Sequence, residues 1–162
     1  MSTNSLSHLF QNELKDIYDA EQRIDEALGE MADEVEHDEI SQAFRDHQQE
    51  TEGQIDRLEQ VFDMIDASPG DEECEATQGM IEEHDEFLDS DPEQGEIDVF
   101  DVTAGQKTEH YEIATYGTLA KLADKLDLDE AGDLLHENLE EEEAFLDRLV
   151  DLTENYDYDR LT

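Results

Sequence analysis

The 162-residue chain predicts an all-α protein, a bundle of four long helices arranged as two antiparallel hairpins. Three observations carry that expectation. Apolar residues recur in steps of three and four through four long segments, as on the buried face of an amphipathic helix. Proline occurs only at Pro69 and Pro92, so little interrupts those segments. Of the three breaks between the long segments, the outer two are short and the middle one is long, which makes two pairs of neighbours joined by one crossover.

The first stripe runs from Leu6 to about Val35 through Phe10, Leu14, Ile17, Ile24, Leu28 and Met31, with Ser5 as its expected N-cap. The break Glu36-His37-Asp38 separates it from a second stripe: Ile40, Phe44, His47, Thr51, Leu58, Val61 and Ile65. Asp38 is the expected cap there, and Ala67-Ser68-Pro69-Gly70 ends the helix. A shorter amphipathic segment spans Glu72 to about Leu88, followed by a loop from Asp89 to Gly95. The third long stripe holds Val99, Val102, Gln106, Glu109, Ile113, Tyr116, Ala120 and Ala123, and breaks near Asp127. The fourth holds Ala131, Leu135, Leu139, Glu142, Leu146 and Leu149, and fades after Leu152. Two hairpins joined by a long crossover with a short fifth helix form the ferritin-like variant of the four-helix bundle. Residues 1–162 read as one such domain.

Fifty Asp and Glu face nine Lys and Arg, a formal charge of -41. Such a surplus repels itself at low salt and is screened at molar salt, where the Debye length is about 3 Å. Acids spread over the whole chain with little lysine point to a cytoplasm rich in K+ or Na+, that of an extreme halophile, most simply an archaeon. No basic patch exists for nucleic acid. No apolar run approaches a membrane span, and the polar start MSTNSLSH is no signal peptide, so a soluble cytoplasmic protein is expected. Cys74 is the single cysteine, which excludes an internal disulfide and a thiolate cluster. Gly-rich phosphate loops and Gly-x-Ser-x-Gly elbows are absent.

The informative acids are those that interrupt apolar faces, because a buried unpaired carboxylate costs several kcal/mol. Glu21 falls between Ile17 and Ile24, and His47 and Glu50 fall between Phe44 and Leu58. Glu109 and Glu112 lie one turn apart in the third stripe, and Glu142 lies on the fourth seam. Height strengthens the pattern. Glu21 and Glu50 lie about 16 and about 13 residues from the first turn, and Glu112 and Glu142 about 15 from the second, so at 1.5 Å per residue each pair shares a level. Carboxylates converging at mid-bundle need protons or metal ions between them. Oxygen ligands with an imidazole suit iron or manganese in a bridged dinuclear site. Taken singly, each Glu equally fits a solvated helix face, and His47 equally fits a core histidine bonded to a neighbouring helix. Glu140, Glu141 and Glu143 read as solvated surface, His110 as surface or interface, and His8, His37, His84 and His136 lie away from the mid-bundle level. Tyr18, Tyr111 and Tyr116 lie near that level and read as core packing, with a hydroxyl able to orient a ligand or carry an electron.

The strings LFQNELKDIYDAE (Leu9 to Glu21), HQQETEGQ (His47 to Gln54), EHYEIATYG (Glu109 to Gly117) and LEEEE (Leu139 to Glu143) resemble those of the YciE/YciF-type ferritin-like proteins. The resemblance covers almost the whole chain. It implies a stress-associated homodimer, related in fold to rubrerythrin, able to hold two iron (or manganese) ions in the bundle. Carried onto this sequence, it marks Glu21, Glu50, Glu109, Glu112 and Glu142 as ligands, with His47 as helix-mate of Glu50. One departure stands out: where a Glu-x-x-His motif is expected on the second and fourth helices, Gly53 follows Glu50 and Phe145 follows Glu142. No rubredoxin-like cysteine quartet is present, so the redox partner is unknown.

Two function classes follow. One is a di-iron or manganese carboxylate protein of stress defence, with Glu50 and Glu112 bridging ions that peroxide or oxygen oxidises. The other is a non-catalytic dimeric helical scaffold that tolerates its inward acids by protonation or hydration, with a vestigial or variably occupied metal site. A storage cage is a third option and needs a shell-forming oligomer.

Overall fold

The computed structural model describes residues 5–161, and every regular element among them is helical. Five α-helices follow in order: α1 (Ser5–Glu34), α2 (Asp38–Met64), α3 (Glu75–Asp89), α4 (Gln94–Lys125) and α5 (Asp129–Glu154), with a closing 3-10 turn at Tyr158–Leu161. Links of residues 35–37 and 126–128 fold α1 against α2 and α4 against α5, while the crossover 65–93 carries α3. α1 also packs on α4, and α2 on α5, closing a four-helix ring; α3 lies across α1 and α4. The crossover returns the chain to the α1–α2 turn. There Asp98 Oδ1 accepts from the Glu36 amide at 2.9 Å, and Gln94 Nε2 donates to the Glu34 carbonyl at 2.7 Å. Every pair of neighbours in the ring is therefore antiparallel, as in a ferritin-like bundle.

Helix ends depart from the sequence expectation in several places. Ser5 is already the first residue of α1, so the cap position lies outside the described residues. His37, not Asp38, is the N-cap of α2 and makes no side-chain cap bond; Asp38 and Glu39 stand inside the first turn, where acids favour the positive end of the helix dipole. α4 starts at Gln94, inside the expected loop, because Glu93 and Glu96 form a reciprocal capping box. At the other ends, α2, α3 and α4 are each followed by an aspartate with left-handed backbone, Asp66, Asp91 and Asp127, at φ of 52°, 56° and 57°. Glycine usually fills that position and aspartate tolerates it. The acid surplus thus extends to sites chosen by backbone geometry.

The core stacks along the bundle axis, from Phe10, Leu14, Phe62 and Leu119 at one end to Phe44, Ile40, Val102 and Leu149 at the other. Gly105 of α4 allows a close approach in the core: a Cβ there would lie 2.9 Å from Leu149 Cδ1 and 3.5 Å from Phe44 Cε1. A polar lock sets the register of α2 on α5. Arg57 donates to Asn138 Oδ1 at 2.9 Å and pairs with Glu137 and Glu141 at 2.9 and 2.8 Å, and Asn138 donates to the Gln54 carbonyl. α3 begins at Glu75, later than expected, because Cys74 caps it: the buried thiol accepts from the Thr77 amide, and the Cys74 amide donates to Asp19 Oδ2 at 2.6 Å. No helix among the described residues is long and apolar enough to cross a membrane.

Two outcomes are expected from this packing. Gly105→Ala lowers stability by about 1 kcal/mol because overpacking outweighs the helix-propensity gain, whereas Gly117→Ala on the same helix, with nothing within 4 Å of its Cβ position, raises it by about 0.5–1 kcal/mol. Urea denaturation of the two variants checks the opposite signs. Independently, the charge of -41 predicts a falling thermal midpoint as KCl drops from about 1 M, where screening acts over about 3 Å, to about 0.01 M, where it acts over about 30 Å. Calorimetry across that range tests it, and an unchanged midpoint would show that the surface acids do not repel one another measurably.

Candidate metal centre

Four glutamates meet in the bundle interior, and all are closed to solvent. Glu21 comes from α1, Glu109 and Glu112 from successive turns of α4, and Glu142 from α5; their exposures are 0, 1, 0 and 0%. α2 contributes His47, 1% exposed. Each is delivered by a helix whose neighbouring positions are core residues, Ile17 and Ile24 around Glu21, Phe44 beside His47 and Leu149 beyond Glu142, so the helix cannot turn them outward without exposing its apolar face.

Two sets of side chains bring one ligand atom each within 4.8 Å of one another: His47, Glu109 and Glu142, and Glu21, Glu112 and Glu142. Glu142 belongs to both. His47 Nε2 lies 3.1 Å from Glu142 and 3.4 Å from Glu109, within ion-pair distance of both yet aligned for a hydrogen bond with neither. Six carboxylate oxygens here are buried with no hydrogen-bond partner: Glu21 Oε2, Glu109 Oε2, and both oxygens of Glu112 and of Glu142. Glu21 Oε1 accepts from the fully buried Tyr116 hydroxyl at 2.5 Å, and Glu109 Oε1 is the one facing His47.

Burial and mutual repulsion act on every acid of the group. Burial, then the charge of Glu112, pushes Glu21 well above the usual carboxylate range. Burial and Glu142 do the same to Glu112, and burial and Glu109 to Glu142. Glu109, through burial and Glu112, is pushed up to about 7. Burial disfavours the imidazolium of His47, but the flanking carboxylates of Glu109, Glu142 and Glu50 outweigh it and raise the ring well above its ordinary value. One imidazolium against four carboxylates leaves the group short of positive charge. Oxygen-rich donors, one nitrogen and a shared carboxylate fit two divalent first-row cations.

Of the six residues expected from sequence, five converge. Glu50 does not join them: its side chain is 48% exposed on the flank of α2, and it meets the group only through His47, with Oε2 3.0 Å from Nδ1. It stands three residues after His47, so when one faces the axis the other lies beside the rim. That contact suits a Nδ1–H donor, which leaves Nε2 facing Glu109 and Glu142, the usual carboxylate–imidazole arrangement behind a metal ligand. Phe145, standing where a second histidine was expected, stacks on the His47 ring at 3.7 Å with an 11° tilt and packs it in place. Tyr111 points away from the centre, donating to Asp16 Oδ2 at 2.5 Å beside the Cys74 thiol. His110, Glu140 and Glu143 are exposed, as expected, while Glu141 is half-buried through Arg57 and Gln54.

Sequence reasoning passed over several buried polar groups. Asp98 is fully buried, but its carboxylate is answered by the Glu36 amide and the Tyr156 hydroxyl. Gln54 and Asn138 belong to the α2–α5 lock. His84 and Asp101 bond to each other under α3.

The same architecture recurs in known proteins. The solved structure of the Escherichia coli stress protein YciF superposes with a TM-score of 0.89 at 40% identity, covering 96% of this chain and 97% of that one. In sequence, YciF of E. coli K12 is 40% identical over 156 residues, 96% of this chain and 94% of its own. YcfI of Rhodopseudomonas palustris, described as a putative structural protein, gives a TM-score of 0.87 at 37% identity over 92% of this chain and 95% of that one. A Xanthomonas campestris protein at 20% identity and a TM-score of 0.75 shares the fold over 91% of this chain and 90% of its own. Residues 5–160 match the family described as a domain of unknown function, DUF892. With that match and 40% identity to YciF over nearly its full length, this chain is a member of the DUF892 family.

Proposed function

We propose that the protein is a di-metal carboxylate protein, holding iron or manganese, that serves in stress defence by reacting with peroxide or oxygen. The observation that carries this reading is the set of six unpartnered, buried carboxylate oxygens divided between two groups that share Glu142. Glu21 and Glu112 would hold one ion and His47 and Glu109 the other, with Glu142 common to the two sets. Such ions, when bound, would supply the reducing electrons. The rest falls to the chain. Tyr116 fixes Glu21 by one oxygen and leaves the other free. Glu50 orients His47 from the solvent side, replacing the bridging role the sequence suggested for it.

Access supports the reading as well. A cavity of about 60 Å³ between α1, α3 and α4 is walled by Ile24, Leu28, Met31, Met80 and Ile81 and reaches Glu109. An apolar passage of that size suits a small uncharged oxidant, and the acidic surface disfavours anions. The stress description of YciF agrees in kind. The rival, a scaffold with protonated acids, draws on the structural-protein description of the R. palustris relative.

Metal analysis after dialysis separates them. About two ions per chain are expected in the bundle centre of the wild type; Glu142→Gln loses both of these, Glu21→Gln loses one, and Glu50→Ala keeps the central count while weakening affinity about 10–100-fold. A full count retained by Glu142→Gln would sink the proposal. Oxidation of the loaded protein by peroxide, followed by absorbance, tests the reaction itself.

The metal-free protein has a pH signature whose sign is fixed. Glu109 titrates at about 7 in the folded chain against an ordinary 4.5, so the native state keeps a proton that the unfolded chain has released. Stability is therefore greatest below about pH 4.5 for this group, and on the order of 3 kcal/mol is lost as pH rises through 7. The raised His47 acts in the same direction, its contribution being present below 6.5 and lost at higher pH. Chelated protein should unfold at lower denaturant at about pH 7.5 than at about pH 5, with a smaller difference in Glu109→Gln. Equal differences in both proteins would contradict the assignment.

A further inference from the structure

We propose that Glu34, His84 and Asp101 form a second divalent-cation site, outside the bundle interior, that clamps α3 onto α1 and α4. His84 of α3 brings Nε2 to 2.8 Å from Asp101 Oδ1 and 3.1 Å from Glu34 Oε2. One donor atom from each of the three residues lies within 4.8 Å of the others. Asp101 is fully buried and its Oδ2 has no hydrogen-bond partner; Glu34 Oε2 is likewise a buried atom without an aligned donor. Among the described residues, neither carboxylate is paired with a lysine or arginine.

Charge and donor type decide what belongs there. Two carboxylates against one imidazolium leave a net negative charge in a half-buried site, whereas a divalent ion with neutral imidazole balances it. Their pull is visible on His84, raised to about 10 by Asp101 first and Glu34 second. Asp98, three residues earlier on α4, makes the contrast: its buried carboxylate is answered by an amide and a hydroxyl and needs no cation. One imidazole nitrogen and two carboxylates select a first-row ion such as Mn2+ or Zn2+ over Mg2+ or Ca2+. Glu34 is 23% exposed, so water can complete the coordination.

The site is separate from the bundle centre. Asp101 and Glu109 lie eight residues apart on α4, about 12 Å at helical rise. Its consequence reaches the centre nonetheless, because His84 and Glu109 line the same cavity, and a metal tie at His84 would hold the α3 wall of that cavity.

The test is Mn2+ binding to the full chain, counted by electron paramagnetic resonance in about 1 M KCl, where screening over about 3 Å suppresses diffuse attraction to surface acids. In a Glu112→Gln/Glu142→Gln variant, which removes both central sets, one Mn2+ per chain should remain and carry one imidazole nitrogen coupling. Adding Asp101→Asn or His84→Gln should abolish it. In the otherwise native chain, whose fold does not depend on the double variant, Asp101→Asn should lower the count by one. The inference fails if the double variant is folded and binds no Mn2+, if binding survives Asp101→Asn, or if that substitution leaves the native count unchanged. Because the central sets and this site are removed by different substitutions, loss of the central metal reading leaves this result intact.

Discussion

Carboxylates held together away from water must be answered by positive charge or by hydrogen bonds, and the centre of this bundle is organised around that requirement. Removing an ion from water costs several kcal/mol even after relaxation, and four acids at one level add mutual repulsion to that cost. The chain meets the requirement in three ways. Asp98 receives an amide and a tyrosine hydroxyl, so its charge is solvated by the protein. Glu21 receives one hydroxyl, from Tyr116, and is half answered. Glu112 and Glu142 receive no hydrogen bond at either oxygen, and only His47 brings positive charge near. The gradient from Asp98 to Glu142 runs from structure toward chemistry.

The helical frame fixes which acids meet. Three-residue links at 35–37 and 126–128 leave no slack for one helix to slide past its partner, so the height of each side chain is set by its distance from the turn. The α2–α5 lock through Arg57 and Asn138 then holds the two hairpins in register, one turn from Glu142 and roughly two to three turns from His47. Gly105 brings α4 close to α2 and α5, one turn from Glu109. Geometry of this kind lets a helix bundle hold an exacting donor set with few loops near it.

The fold was legible because stripes, links and scarce prolines all report on the same helices. The centre was legible for Glu21, Glu109, Glu112 and Glu142, which break apolar seams at one height. Glu50 lies outside the converged set for a physical reason. Period alone places positions 47 and 50 on adjoining edges of one helix face, and only the packing angle of α2 on α5 decides which edge faces the axis. His84 and Asp101 were missed because they sit where α3 crosses α1 and α4, and a crossing contact leaves no periodic trace in either segment. Asn138 was hidden by Leu139: the face of α5 is rotated slightly from the simplest leucine stripe, burying Asn138 and Phe145 and leaving Leu139 and Leu146 half-buried.

The two populations of acid therefore obey different counterions. Exposed carboxylates, the great majority of the fifty, lie within reach of dissolved cations, and ionic strength governs their repulsion. Those of the interior lie behind 0–1% exposure, where mobile salt does not penetrate and only a proton, an imidazolium or a coordinated ion can act. Salt and chelator thus act on separate terms of one free energy, even though every group involved is a carboxylate. Adding KCl relieves the surface and leaves the centre short of charge; removing an ion coordinated as proposed would strain the centre and leave the surface unchanged. A net charge of -41 describes the first term alone, and the function proposed for the protein belongs to the second.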